Sequence, residues 1–189
     1  MKVKLLITCL FIAFSTISFS QKMRGLDKSP MDMAYYPDDF SHDRKFAPEK
    51  VGNEAFVRVV YSRPFKNDRK LFGDKIPFGK VWRVGANEAT EIKFYKNVVI
   101  NGQKIKAGTY SLFVIPTAEE WTFILNTDLD VWGAYSHNPA KDILKVTVKT
   151  SKTESTIENL SIQFSKSSEK STTMKVAWDD TMADLEINY

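Results

Sequence analysis

The chain predicts an all-β fold, an antiparallel β-sandwich of jelly-roll type with long irregular loops. Three observations carry that prediction. From Glu54 onward, short segments rich in Val, Ile, Thr, Tyr, Phe and Trp recur, most of them alternating apolar with polar residues; a period of two marks a strand with one buried face. Turn residues separate these segments, and no stretch carries the spacing of an amphipathic helix. About eight or nine short strands so arranged suit a sandwich or a barrel, and the lack of a fixed-period repeat argues against propellers and solenoids.

Residues 1–20 read as a signal peptide. Lys2 and Lys4 precede an apolar run from Leu5 to Phe14, and a small-residue tail ends at Ser20, the three parts of a secretory leader. The apolar run is shorter than the roughly 20 residues a spanning helix needs. Cleavage after Ser20 and a periplasmic or secreted product are the expectation. Cys9 is the only cysteine and lies in this run, so the mature chain would have neither disulfides nor thiolate chemistry. It would carry 25 basic against 23 acidic residues, a balance unlike the clustered basic face of a nucleic-acid binder. No later run is long enough to span a membrane.

Residues 21–50 show no clear period and read as an irregular arm, with Met31, Met33, Tyr35, Tyr36 and Phe40 available to pin it down. The β domain then occupies residues 51–189. Its first strand is Phe56 to Tyr61, followed by Ile92 to Tyr95. Asn101-Gly102 between two apolar triplets is a hairpin signal, since both turn positions need positive φ. Tyr110 to Ile115 is apolar on both faces and should be central, and Trp121 to Leu125 follows it. A long loop covers residues 126–140. Strands around residues 144–148, 160–164, 174–178 and 185–187 close the chain, the last two separated by a turn at Asp179-Asp180.

The stretch from Tyr61 to Thr90 is the candidate bearer of function. It holds three arginines, two prolines and the run Gly85-Ala86-Asn87-Glu88 between ordinary strands. Arg63 continues the apolar face of Val57, Val59 and Tyr61, and Arg83 stands next to Trp82 before the chain breaks at Gly85. Each guanidinium at a core rim needs a partner. Glu88 could supply it as an internal brace, or Arg63, Arg83, Asn87 and Glu88 could hold an anionic or polyhydroxylated ligand, with Trp132 or Tyr135 as an aromatic platform. For Trp132, capping the end of the sandwich core is the favoured alternative to a platform. Arg69 reads as part of a solvated loop.

Other chemistry has less behind it. Asn126, Asp128 and Asp130 alternate like calcium ligands, but the sixth-position glycine and twelfth-position glutamate of that loop are missing. His42 and His137 have no metal-site spacing, and His137 reads as an exposed loop residue. No nucleophile motif is present. Neither a catalytic set, a metal nor a cofactor is assigned.

Tyr61-Ser62-Arg63-Pro64, the run from Pro77 to Thr90, Ala107 to Phe113 and Trp132-Gly133-Ala134-Tyr135 resemble the bacterial domain-of-unknown-function family 2911. That resemblance implies an exported, mostly β domain and supplies no reaction or ligand. Three functions stay open: an exported domain binding a small polar ligand (a carbohydrate or an anionic metabolite), a structural or interaction module of the cell envelope, and a hydrolase pairing Glu88 with His137.

Overall fold

The computed structural model describes residues 22–189, so the expected signal peptide lies outside the described residues. Among the described residues nine antiparallel strands form one sheet: β1 (Met31–Tyr36), β2 (Val57–Ser62), β3 (Thr90–Phe94), β4 (Val98–Ile100), β5 (Gln103–Ile105), β6 (Gly108–Pro116), β7 (Glu120–Asn126), β8 (Asp142–Ser168) and β9 (Ser171–Asn188). Their order across the sheet is β1-β2-β3-β6-β7-β8-β9-β4-β5. The all-β antiparallel fold is as expected. Its two layers belong to one sheet that bends over a single core, with the long β8 and β9 passing from one layer into the other.

Register shifts make that bend possible. The β8–β9 ladder is regular from Thr150 to Lys152 and again from Ser161, with Ile157 opposite Asp179 as the one pair between them. Asp179 has φ 58, a left-handed conformation that aspartate tolerates better than most residues. The expected turn at Asp179-Asp180 is therefore a bulge that kinks a continuous strand. It brings the second half of β8 beside the end of β2: Ile162 N donates to the Tyr61 hydroxyl at 3.1 Å, Leu160 N to Pro64 O at 3.2 Å and Lys66 N to Glu158 O at 2.8 Å.

The stretch read as an irregular arm is more ordered than its pattern suggested. Residues 31–36 form β1, paired along its length with β2, and two short helices follow, Phe40–Phe46 and Pro48–Val51. Tertiary pairing supplies β1 with the hydrogen bonds that weak alternation could not announce. Met31 and Met33 stay exposed, whereas Phe40 is buried. The Asn101-Gly102 hairpin forms as expected, with φ 48 and 78.

The core joins inward residues of both layers, among them Val59, Ile92, Leu112, Phe123, Leu160, Val176 and Ile187. Trp82, Trp121 and Trp178 close one end of it. Trp82 meets Trp121 edge-on at 5.9 Å and lies nearly parallel to Trp178 at 6.1 Å. β6 is central, and its second face is also covered: Phe113 and Ile124 pack beneath Ala89, Val81, Val131 and Ala134. The two loops of interest are thus seated on the outside of β6 and β7.

Candidate functional site

The turn after Trp82 is built from the backbone outward. Trp82 exchanges two hydrogen bonds with Val114, at 2.7 and 2.9 Å, which pins this segment to β6. Val84 then takes φ 55 although it is β-branched and fully buried; such a residue is strained there at a cost of about 1–3 kcal/mol. The Thr90 hydroxyl holds the turn by donating to Val84 O at 2.7 Å, and the Ser62 hydroxyl both donates to Ala86 O at 2.5 Å and accepts from Ala86 N at 2.7 Å. Gly85 is required by closeness, since a Cβ there would stand 2.9 Å from Ser62 Oγ. Strain held by several independent bonds beside an arginine is a pattern of functional sites.

Arg83 separates two cavities. The larger, about 380 Å³, presents Lys28, Arg69, Lys75 and Arg83 over a floor that includes Trp82 and Trp178. The smaller, about 210 Å³, shares Lys75, Trp82 and Arg83 and adds Lys80 and Tyr135. No carboxylate lines either one. Among the described residues Arg83 makes no ion pair, and its Nε is buried without a hydrogen-bond partner. Lys28, Lys75 and Lys80 likewise lack an acidic partner within ion-pair distance among the described residues, while Arg69 spends Nε on Lys66 O at 2.8 Å and an Nη on Phe65 O. Both indole N–H groups of the floor are committed to main chain, Trp82 to Gly85 O at 3.3 Å and Trp178 to Glu158 O at 3.1 Å. Both indoles belong to the core and stay buried at the cavity floor, whereas Phe65, 42% exposed, presents an apolar ring to it.

The predicted residues divide into two groups. Arg83, Asn87, Glu88, Trp132 and Tyr135 come together: Gly133 N donates to Asn87 O at 2.9 Å, Glu88 forms a single bridge with Trp132, and a Cβ on Gly133 would lie 3.3 Å from Arg83 Nη1. Arg63 stands apart. Its Nη1 reaches Asp32 Oδ2 at 2.9 Å, Nε reaches Leu160 O at 3.0 Å and Nη2 reaches Ser161 Oγ at 3.0 Å. It is a brace between β1, β2 and β8 and lines neither of the two cavities at Arg83.

Three details of the expectation are corrected. Glu88 is exposed and pairs with neither arginine; its backbone is held in an isolated bridge with Trp132. Asn87 spends its amide on Asp27 Oδ1 at 3.1 Å and takes φ 59, so it positions backbone and straps the N-terminal segment down. Trp132 is 58% exposed and caps no core; Tyr135, not Trp132, reaches the smaller cavity.

His137 is not the exposed loop residue its neighbours suggested. Its side chain is 8% exposed, its Nε2 lies 2.9 Å from Asp142 Oδ1, and its ring meets Phe113 edge-on. Asn126 Nδ2 also donates to Asp142 Oδ1 at 2.7 Å, and Lys145 Nζ lies 3.0 Å from Oδ2. Burial pushes the Asp142 carboxyl up, but the Asn126 amide, Lys145 and His137 outweigh it and hold it below the usual carboxylate range. This cluster anchors both ends of the 126–142 loop, with Asp128 N bonded to Asn126 Oδ1 and Asp128 paired to Lys141, each at 2.8 Å. Glu88 and His137 do not hydrogen-bond, and the hydrolase pairing has no geometry behind it.

Lys28, Lys75 and Lys80 escaped the residue-by-residue reading, and Arg69 was read only as part of a solvated loop. For all but Lys28 the signal was collective: residues 61–84 hold seven basic and two acidic side chains, in a chain whose total is nearly balanced. Trp178, distant in sequence, gave no such sign.

Residues 43–187 match the family model described as a protein of unknown function (DUF2911). No curated protein and no solved structure matches the chain. The matched span is well over half of the sequence and contains both the Arg83 turn and the Tyr135 loop. The chain belongs to the DUF2911 family.

Proposed function

We propose that this is an exported domain, periplasmic or secreted, that binds a small anionic ligand in the cavity beside Arg83. The observation that carries the reading is the guanidinium itself, with Nε buried and without a hydrogen-bond partner in a cavity whose other charges are all positive. A polar nitrogen shielded from water without a partner is costly, and a partly exposed guanidinium among like charges lacks a counter-charge. An anion seated between Arg83, Lys75, Lys28 and Arg69 removes that cost and gains charge-assisted hydrogen bonds. The volume of about 380 Å³ falls within the roughly 300–1,000 Å³ of small-molecule sites, and the strained Val84 beside Arg83 adds support.

The test is a thermal-shift screen of the mature protein against carboxylates, sulfate, phosphate and acidic sugars, repeated with Arg83→Met. A ligand at a hundred times its Kd stabilises by about 2.7 kcal/mol, and R83M should lose that gain while keeping its fold. A second reading, a structural or interaction module of the cell envelope, draws on Arg63, whose guanidinium is fully engaged as a brace. It would be favoured if R83M unfolded the protein in the absence of any ligand.

A further inference from the structure

Resting on that reading of the larger cavity, we infer that the cleft takes an oligosaccharide of acidic sugars, with one carboxylate on each side of Arg83. The smaller cavity, about 210 Å³, is below the size of a whole small-molecule site. It shares Lys75, Ile76, Trp82 and Arg83 with its larger neighbour, so the two cavities adjoin across these side chains. Each half has its own cations, Lys28 and Arg69 in one and Lys80 in the other, with Arg83 and Lys75 common to both. A planar guanidinium has several donors along its edges and can serve two carboxylates at once, where an ammonium acts as a point charge.

The chemistry of the walls selects the backbone that joins the two charges. Neutral sugars present hydroxyl donors that need acceptors, and the walls offer no carboxylate. The matching ligand is rich in acceptors. Its rings must also pack on an apolar face, and the larger cavity offers one in Phe65, 42% exposed. Tyr135, 85% exposed, extends an aromatic surface at the far end. A uronic acid unit has both properties, a flat C–H face for an aromatic ring and one carboxylate per ring. An inorganic polyanion has the charge and no face.

Isothermal titration with galacturonate, digalacturonate, neutral cellobiose and tripolyphosphate tests this. Two linked carboxylates should make digalacturonate bind about tenfold or more tighter than galacturonate, with both weakened by salt and cellobiose silent. Lys80→Gln, an exposed side chain whose loss leaves no buried partner, should bring the two acidic sugars to the same affinity, its folding checked by an unchanged melt. Equal affinities in the native protein, or tripolyphosphate binding tighter than digalacturonate, would overturn the oligosaccharide. The anion reading of the larger cavity would survive that result provided R83M abolishes galacturonate binding. If no anion binds and R83M behaves as the native protein does, both readings fail together.

Discussion

The Ser62 hydroxyl and the Ala86 peptide hold each other twice, donating to the carbonyl at 2.5 Å and accepting from the amide at 2.7 Å. Ser62 ends β2 and is 1% exposed, so this pair ties the Arg83 turn to β2 as the Trp82–Val114 bonds tie it to β6. Ser62→Ala should cost about 2 kcal/mol, because a largely shielded amide and carbonyl each lose their partner. Gly85→Ala should cost at least as much, since its Cβ would be forced to 2.9 Å from the same hydroxyl. Urea melts of the two variants check both, and the double variant should cost less than their sum, because removing the hydroxyl relieves the clash.

The two arginines should separate in stability. Arg63→Ala removes three hydrogen bonds, one of them to the half-exposed Asp32, and is expected to cost about 2 kcal/mol, or roughly 4–8 °C in Tm for a domain of this size. Arg83→Met breaks no ion pair among the described residues and should stay within about 1 kcal/mol of the native protein. Differential scanning calorimetry of both variants without ligand is the check. A larger loss for R83M than for R63A would reverse the assignment of brace and binding residue.

Gly133 has φ 67, and a Cβ there would come within 2.8 Å of the Tyr135 ring and 3.3 Å of Arg83 Nη1. Gly133→Ala should cost about 1–2 kcal/mol from the left-handed backbone alone. It should also displace Tyr135, which is free to swing outward, and with it the wall of the smaller cavity. Combining it with Tyr135→Ala separates the two effects: the backbone cost remains and the ring clash disappears.

Asp142 ties stability to pH in a definite direction. Its carboxyl is held below the usual range in the folded protein, so just below the unfolded value of about 3.9 the unfolded chain binds more protons. Stability there rises with pH. The contribution is fully present above that value and is lost as pH falls through the folded one. Asp142→Asn should destabilise the protein by roughly 2–3 kcal/mol near neutrality, and the gap between variant and native protein should narrow on acidification below about pH 4. Chemical denaturation across that range measures it.

Much of the fold was legible in local pattern. The alternation of Val57, Val59 and Tyr61, the apolar run from Tyr110 to Ile115 and the Asn101-Gly102 turn each depend on neighbours in sequence, and each is where the pattern placed it. β1 was not legible, because its order comes from hydrogen bonds to β2 rather than from its own residues. The candidate site was half legible. Arg83, Asn87, Glu88 and the Tyr135 loop are brought together, but Glu88 braces neither arginine, Asn87 bonds Asp27, and Arg63 belongs to a different part of the molecule. His137 was misjudged because its partner Asp142 arrives through the closing of a loop, which no spacing encodes.

Strand periodicity, turn chemistry and family membership are local or linear properties, and the amino-acid order alone determined them: an all-β domain whose unusual residues gather around Trp82 to Thr90. Which charges face one another is a property of chain crossings. Lys28 from the N-terminal segment, Arg69 from a loop, Arg83 from a strained turn and Trp178 from the bent β9 meet only because the sheet folds over its core. That meeting leaves Arg83, its Nε shielded and without a hydrogen-bond partner, among other cations, and it was decided by the tertiary structure.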